Sequence, residues 1–317
     1  MSRAGHSRGW RRQFERRFAC RVLRDEPLAD HTTLRVGGPA ALMAWLDDAR
    51  LLLEARTWLQ ERKVPWRVLG GGSNVLVADS GFPGAVLRLD GALAGLKLLQ
   101  RDSRRLVVEA GGGLALARLV GWAARHRAGG LECLWGIPGT VGGAVRGNAG
   151  TRLGSIADSL LEVLVAERGR RRWLSAAGLG LAYRRSRIGP RRVVLAARFR
   201  LRTVSERSLQ RARQRARQLR RAQPATAGTA GCFFRNPADG RPAGWLIERA
   251  GLRGACRGAA RVSERHANFL VNSGGASARQ VWELARLVAR QVRRVHGVRL
   301  EPEVERWGDF SSPGRGT

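Results

Sequence analysis

Two glycine clusters are the residues of this 317-residue chain whose spacing points most directly to chemistry. The first, VLGGGSNVLVADSGFPG, sets Gly70, Gly71 and Gly72 between two strand-like runs, with Ser73 and Asn74 completing the turn. Glycine tolerates positive φ and lets a ligand reach the main chain, and successive N–H groups can form a concave anion site. A diphosphate suits such a turn, although a tight hairpin would use the same residues. The dinucleotide fingerprint of a Rossmann unit is absent, since no helix pattern follows and no acidic residue sits at the expected strand end. The second cluster, GIPGTVGGAVRGNAG at residues 136–150, intersperses Pro138, Thr140 and Asn148 among its glycines. Helical periodicity is absent between Gly136 and Gly143, so this passage reads as a main-chain-rich loop. Two such loops can clasp one extended ligand, and a nucleotide cofactor is the expectation. Cys20, Cys133, Cys232 and Cys256 show no CxxC spacing, so neither zinc nor a disulfide framework is predicted.

The elements that must position these loops follow from periodicity. Residues 48–63 carry Leu52, Leu53, Ala55 and Leu59 at three- and four-residue steps, which predicts an amphipathic helix. Strand-like runs follow at 66–69, 74–77, 85–89, 96–99 and 106–109, then a helix over 114–127 directly after Gly111, Gly112 and Gly113, and strands at 161–166 and 193–201. One helix among several strands predicts an α+β architecture. Thr203 and Glu206 are spaced as a capping box opening an arginine-rich connector helix that ends near residue 222. Beyond it lie a helix at 244–250 stopped by Gly251, a strand at 268–271, and a last helix capped by Ser277 and Gln280. In that helix Val281, Leu284, Val288, Val292 and Val295 form one apolar stripe before Gly297. Residues 1–25 read as a mobile basic arm, with regular patterning starting only near Leu34.

An apolar content of 44% is enough for a sizeable core, and the length predicts two or three domains. The net charge of +33 invites a nucleic-acid reading, but Lys63 and Lys97 are the only lysines, and the arginines are spread over all elements. Polyanion recognition needs a clustered footprint, so arginine bias is the preferred account, with a basic nucleic-acid-binding protein as an alternative. The N-terminus lacks the apolar core of a secretory signal, and no run of 18 apolar residues occurs. A soluble, cytoplasmic protein is the expectation.

Eight segments occur in a telling order: HTTLRVGGPA from His31, GGGSNVLV from Gly70, GIPGTVGGAVRGNAG from Gly136, YRRS from Tyr183, TAGCFFRNP from Thr229, AGWLIERAGLRG from Ala243, VSERHANFLVN from Val262 and LEPEV from Leu300. Together, over residues 31 to about 307, they resemble the UDP-N-acetylenolpyruvoylglucosamine reductase family. The resemblance implies a vanillyl-alcohol-oxidase-like (PCMH-type) FAD-binding fold over residues 26–202, in two subdomains of about 26–90 and 91–202. It also implies a C-terminal α+β substrate-binding domain over 203–317, whose strand near 300–307 returns to the active site and the first subdomain. Non-covalent FAD would lie against Gly70, Gly71, Gly72, Ser73, Asn74, Gly136, Pro138, Gly139, Thr140, Gly142, Gly143 and Asn148. NADPH would reduce the flavin and leave, and the enolpyruvyl ether of a UDP-sugar would then accept hydride. The implied protein acts as a monomer on small molecules, with no specific nucleic acid, membrane or metal.

Hydride delivery to the enolpyruvyl carbon builds negative charge on the carboxylate, which calls for a fixed cation, and the neighbouring carbon needs an acid. The resemblance implies that Arg184 is that cation, as a guanidinium binds carboxylate in two places. Cys232 would be the acid where the family more often has serine; an ordinary thiol, with a pKa of about 8.5, is protonated at neutral pH yet far more acidic than an alcohol. Glu303 would orient substrate or proton source, with Glu301 sharing its face two residues away. Asn236 matches a substrate-contacting position, Tyr183, the only tyrosine, and Arg235 are further candidates for substrate binding, and Arg220, Arg221 or Arg235 would meet the UDP diphosphate. Ala222 and Gln223 stand where the family commonly has a basic residue before the proline at 224. His266 is read as a packed or turn-stabilising residue. Only residues 187–192 separate YRRS from the next strand, so the short subtype without a tyrosine flap is expected. Another flavoenzyme of the same fold is the nearer alternative.

Overall fold

The computed structural model describes residues 3–221, 223–224 and 228–311, and its first element corrects the expectation of a mobile arm. Helix α1 spans Arg3–Arg17. Trp10, Phe14 and Phe18, spaced four apart, are buried, with the Phe14 and Phe18 rings 5.7 and 6.0 Å from that of Trp58. A thin aromatic stripe is enough to seat the helix, and the mean polarity of the segment conceals it.

The chain forms two compact units. The first comprises the residues up to Arg24 together with Leu42–Gly71 and Gly84–Arg220; the second comprises Asp25–Ala41, Gly72–Pro83 and the residues from Arg221 onward. In the first unit Asp48 caps α2 (Ala49–Glu61), accepting a hydrogen bond from the Leu51 N–H, and the strand after it, Trp66–Val68, pairs in parallel with Ala85–Leu87. The main sheet is antiparallel, in the order Arg170–Ser175, Leu160–Glu167, Val193–Thr203, Arg105–Gly111, Leu96–Arg101. Its inner face, with Val108, Val163, Ala197 and Phe199, joins α3 (Leu116–Arg125) and α4 (Val141–Arg146) in one apolar core. Helix α4 corrects the reading of residues 136–150 as loop throughout. Thr140 caps it, and Val141, Ala144 and Val145 are buried, so a six-residue helix sits in a passage too glycine-rich to show periodicity.

Helix α5 spans Glu206–Arg221. Its cap is Ser205, whose hydroxyl accepts the Ser208 N–H at 3.2 Å, rather than the Thr203 and Glu206 box; Thr203 still lies in the strand, its N–H bonded to the Arg104 carbonyl. Arginines of this and other elements lie over aromatic faces: Arg21 over Trp45, Arg56 over Trp66, Arg62 over Trp58, Arg198 over Trp173 and Arg213 over Trp135, each within 4.6 Å of the ring centroid. Part of the positive charge is therefore used as cover for tryptophan.

In the second unit the strands Thr229–Cys232, Phe269–Asn272, Ala260–Val262 and Cys256–Arg257 form an antiparallel sheet in that order. Helices α6 (Ala243–Arg249) and α7 (Ala278–His296) share its apolar core. The expected Ser277 and Gln280 capping box is present, and the Asp79 carboxylate also accepts the Ala278 and Arg279 N–H groups. Val281, Leu284, Val288 and Val292 are buried, but Val295 is 49% exposed: the stripe runs out one turn before the left-handed cap at Gly297. Glu305–Trp307 pairs in parallel with Val75–Val77. Among the described residues no helix is long and apolar enough to cross a membrane.

Candidate functional site

In the first unit the two glycine clusters meet. A Cβ on Gly70 would lie 2.5 Å from Thr140 Oγ1, and one on Gly71 would lie 2.6 Å from the Gly139 Cα. Gly142 donates its N–H to the Gly112 carbonyl at 2.8 Å, an approach that a side chain would also obstruct. Gly136 and Gly139 adopt φ of +73° and +121°. At Gly71 and Gly142 main chain faces main chain because no side chain intervenes, whereas Gly70 faces the Thr140 side chain. Pro138 and Gly143 are exposed, whereas Asn148 is buried and takes the left-handed conformation at φ +43°.

Asn148 and the YRRS segment are tied together. The Asn148 amide donates to the Ala182 carbonyl at 2.9 Å, and the Ser186 hydroxyl donates to the Arg146 carbonyl at 2.7 Å. Between those anchors Ala182 and Arg185 exchange N–H to carbonyl bonds at 2.9 and 3.0 Å, which makes Tyr183 and Arg184 the two central residues of a tight turn. Arg184 carries φ +52°, a conformation that glycine holds more cheaply. Tyr183 is 61% exposed, and the Arg184 guanidinium carbon lies 5.8 Å from its ring centroid. Arg220 donates Nε to the Trp135 carbonyl at 3.3 Å, and Arg213 and Arg217 lie over the Trp135 ring, so α5 holds the residue that opens the second glycine passage.

In the second unit Cys232 ends its strand, half-buried, in register with Phe269 after a bulge. The next residues pair with the LEPEV segment: Glu303 N–H donates to the Phe233 carbonyl at 2.8 Å, and Arg235 N–H donates to the Glu301 carbonyl at 2.9 Å. Cys232 and Glu303 are thereby held on neighbouring segments. Asn74 joins them, its amide donating to the Glu303 carbonyl at 3.2 Å while its own carbonyl accepts the Glu305 N–H at 3.0 Å. Glu303 is half-buried and Glu301 exposed, a difference that alternation along a strand could not supply. Gly72, at φ +61°, accepts the Thr33 N–H, and half-buried Ser73 lies between it and Asn74. Asn236 is exposed and accepts the Ala243 N–H at 3.0 Å, which supports the start of α6, while the Arg235 Nε is buried without a hydrogen-bond partner.

Sequence reasoning missed the connections that hold these residues. Asn268 is 2% exposed and hydrogen-bonds both polar backbone groups of Phe234, two residues after Cys232; an asparagine opening the expected strand at 268–271 was its only signal. His266 accepts the Asn268 N–H on Nδ1 at 3.3 Å and meets the Phe269 ring edge-on, a turn-stabilising part as expected. Burial pushes its pKa below the ordinary 6.5. The first unit also contains a cavity of about 620 Å³ lined by Arg105, Glu132, Cys133, Arg202 and Arg215 among others, and none of the sequence-selected residues borders it.

The chain passes from the first unit to the second inside the first glycine turn, between Gly71 and Gly72. The residues suit FAD on two counts. The close packing of Gly70 and Gly71 on Thr140 and Gly139 brings the two glycine passages side by side, so that both can meet one extended ligand, and the buried Asn148 Oδ1 has no hydrogen-bond partner and can accept from a ligand donor.

Comparison with known proteins gives two matched families along the chain. Residues 40–174 match the FAD binding domain family, and residues 223–307 match the family described as UDP-N-acetylenolpyruvoylglucosamine reductase, C-terminal domain. A UDP-N-acetylenolpyruvoylglucosamine reductase of Syntrophobacter fumaroxidans is 46% identical over 283 residues, covering 88% of this chain and 81% of that protein. One from an Anaeromyxobacter species is 43% identical over 307 residues, covering 95% and 93%. The crystal structure of the Thermus caldophilus enzyme superposes with a TM-score of 0.79 at 38% identity, covering 91% of this chain and 99% of that one.

Proposed function

The chain belongs to the UDP-N-acetylenolpyruvoylglucosamine reductase family, and on that premise we propose how its own residues carry out the reduction. The reaction converts UDP-N-acetylglucosamine enolpyruvate to UDP-N-acetylmuramate at the expense of NADPH, a step of peptidoglycan precursor synthesis. Bound FAD supplies the hydride relay between NADPH and the sugar substrate. The alternative of another flavoenzyme on the same fold leaves the match over residues 223–307 without a purpose.

The enolpyruvyl group gains hydride at its terminal carbon and a proton at the carbon bearing the ether oxygen. Charge that develops on its carboxylate needs a cation already in place, because a donor that must reorganise contributes less. Arg184 meets this need: the tight turn between Ala182 and Arg185 fixes its main chain, and Asn148 anchors that turn. Cys232 gives the proton from its thiol, and Glu303, on the segment paired beside it, orients the substrate or restores the proton to the thiolate. The observation that carries this reading is the pairing of the Cys232 and Glu303 segments with Asn74 of the glycine turn bonded to the second. Gly70 to Asn74 and Gly136, Pro138, Gly139, Thr140, Gly142, Gly143 and Asn148 hold the cofactor, and Tyr183, Arg235 and Asn236 contact substrate. Arg235 is the better candidate for the UDP diphosphate than Arg220, whose Nε already serves Trp135.

The chain is of the short subtype, since residues 187–192 fold back at once: Arg187 N–H bonds to the Leu179 carbonyl and Ile188 is buried. It works in the cytoplasm, where NADPH is available, and as a monomer. Purified protein should show a flavin absorbance band and consume NADPH beyond one equivalent per flavin only when the UDP-enolpyruvyl sugar is supplied. A colourless protein that takes up no FAD, or NADPH oxidation indifferent to that sugar, would refute the assignment.

A further inference from the structure

We infer that Asn268 is the positioning residue of the proton donor, holding Cys232 at its reactive angle through the main chain of Phe233 and Phe234; the inference rests on the role proposed for Cys232. The physical reason lies in how the two residues after the thiol are satisfied. Phe233 and Phe234 are each 1% exposed, so water cannot serve their four backbone polar groups. Two of the four are met by ordinary pairing: Phe233 N–H donates to the Asn268 carbonyl at 2.7 Å, and the Phe233 carbonyl accepts the Glu303 N–H at 2.8 Å. The other two are met by one side chain, as Phe234 N–H donates to Asn268 Oδ1 at 2.9 Å and Asn268 Nδ2 donates to the Phe234 carbonyl at 2.8 Å.

The Asn268 amide thus imitates a strand neighbour where the sheet itself has ended. The ladder between Thr229–Cys232 and Phe269–Asn272 shifts register before Cys232, and Gly231 within that bulge has φ +79°. A bulge re-aims the side chain that follows it, but leaves the backbone free to hinge unless the next residues are pinned. Asn268 does the pinning, and by holding Phe233 it also fixes the carbonyl to which Glu303 is bonded. Its own placement is fixed by His266, whose Nδ1 accepts the Asn268 N–H. A carboxamide is required, because only it presents one acceptor and one donor at this spacing; aspartate keeps the acceptor but sets an oxygen against the Phe234 carbonyl.

The experiment uses the FAD-loaded full chain with Asn268→Asp and Asn268→Ala, each accepted for measurement when it retains its flavin band. NADPH-driven flavin reduction is expected within about 2-fold of wild type, whereas reoxidation by the enolpyruvyl sugar is expected to slow by at least about 10-fold. Alkylation of Cys232 by iodoacetamide, followed by peptide mass spectrometry, is expected to change several-fold while exposed Cys256 reacts as before. In a Cys232→Ala background Asn268→Asp should add nothing to the reoxidation defect, the signature of two residues acting as one. Wild-type reoxidation and alkylation in Asn268→Asp, or a full additional loss in the Cys232→Ala background, would overturn the inference. Normal turnover by Cys232→Ala alone would instead sink the proton-donor assignment, and the clamp would then stand or fall on the alkylation rates.

Discussion

Gly71→Ala adds one methyl group at the point where the two glycine passages touch, and its cost can be worked from the geometry. The new Cβ would sit 2.6 Å from the Gly139 Cα and 3.2 Å from the Gly139 nitrogen. Ordinary carbon contacts begin near 3.5 Å, so one of the two main-chain segments must retreat by about 0.9 Å. Neither obstructing atom belongs to a side chain that could rotate away. Overpacking of this kind costs roughly 1–3 kcal/mol, or several degrees of thermal midpoint for a unit of this size. It also opens the face proposed to receive the FAD diphosphate. Gly70→Ala is the control: its Cβ meets Thr140 Oγ1 at 2.5 Å but the Thr140 carbons only at 3.5 Å. Adding Thr140→Ala should relieve that clash, less the loss of a weak cap on α4. The assay is flavin retained after gel filtration, with thermal midpoints of FAD-loaded and FAD-free protein. We expect Gly71→Ala to lose flavin and stability whatever is done at Thr140, and Gly70→Ala to recover its FAD-free thermal midpoint in the double variant. Full flavin retention at an unchanged midpoint in Gly71→Ala would refute the claim that close main-chain approach builds the cofactor site.

Three further outcomes are expected. Cys232→Ser should keep substantial turnover, whereas Cys232→Ala should still be reduced by NADPH in stopped flow but stall in reoxidation by the sugar; equal reoxidation in the alanine variant excludes the thiol as acid. Arg184→Gly should release the cost of a left-handed arginine, of order 1 kcal/mol, and raise or maintain the thermal midpoint while substrate-dependent turnover falls at least about 100-fold; parallel loss of stability would show that Arg184 serves the fold instead. His266 is held neutral by burial, its folded pKa depressed below 6.5, so the unfolded chain takes up the proton first as pH falls. Its contribution is complete above pH 6.5 and is lost as pH drops through the folded value. Wild type should therefore lose more thermal stability than His266→Gln between pH 7.5 and 5.5, and identical losses would remove His266 as the cause.

The sequence by itself determined the elements whose signal is local. The spacing of Leu52, Ala55 and Leu59 made α2, the Ser277 and Gln280 pair opened α7, and the glycine clusters marked where main chain had to be bare, because period, cap chemistry and the missing Cβ act within a few residues. The same locality misled at both ends of the chain's charge distribution. Trp10, Phe14 and Phe18 needed Trp58, far along the chain, to make α1 an anchored helix, and Val295 lacked a surface to cover it. Only the tertiary structure could decide what long-range hydrogen bonds decide: that Asn148 grips the turn bearing Arg184, that Asp79 receives the first N–H groups of α7, and that Asn268 completes the backbone beside Cys232. In each case a short polar side chain satisfies main-chain groups of a segment that neighbours it only after folding, and no pattern of periods or caps records such a partner.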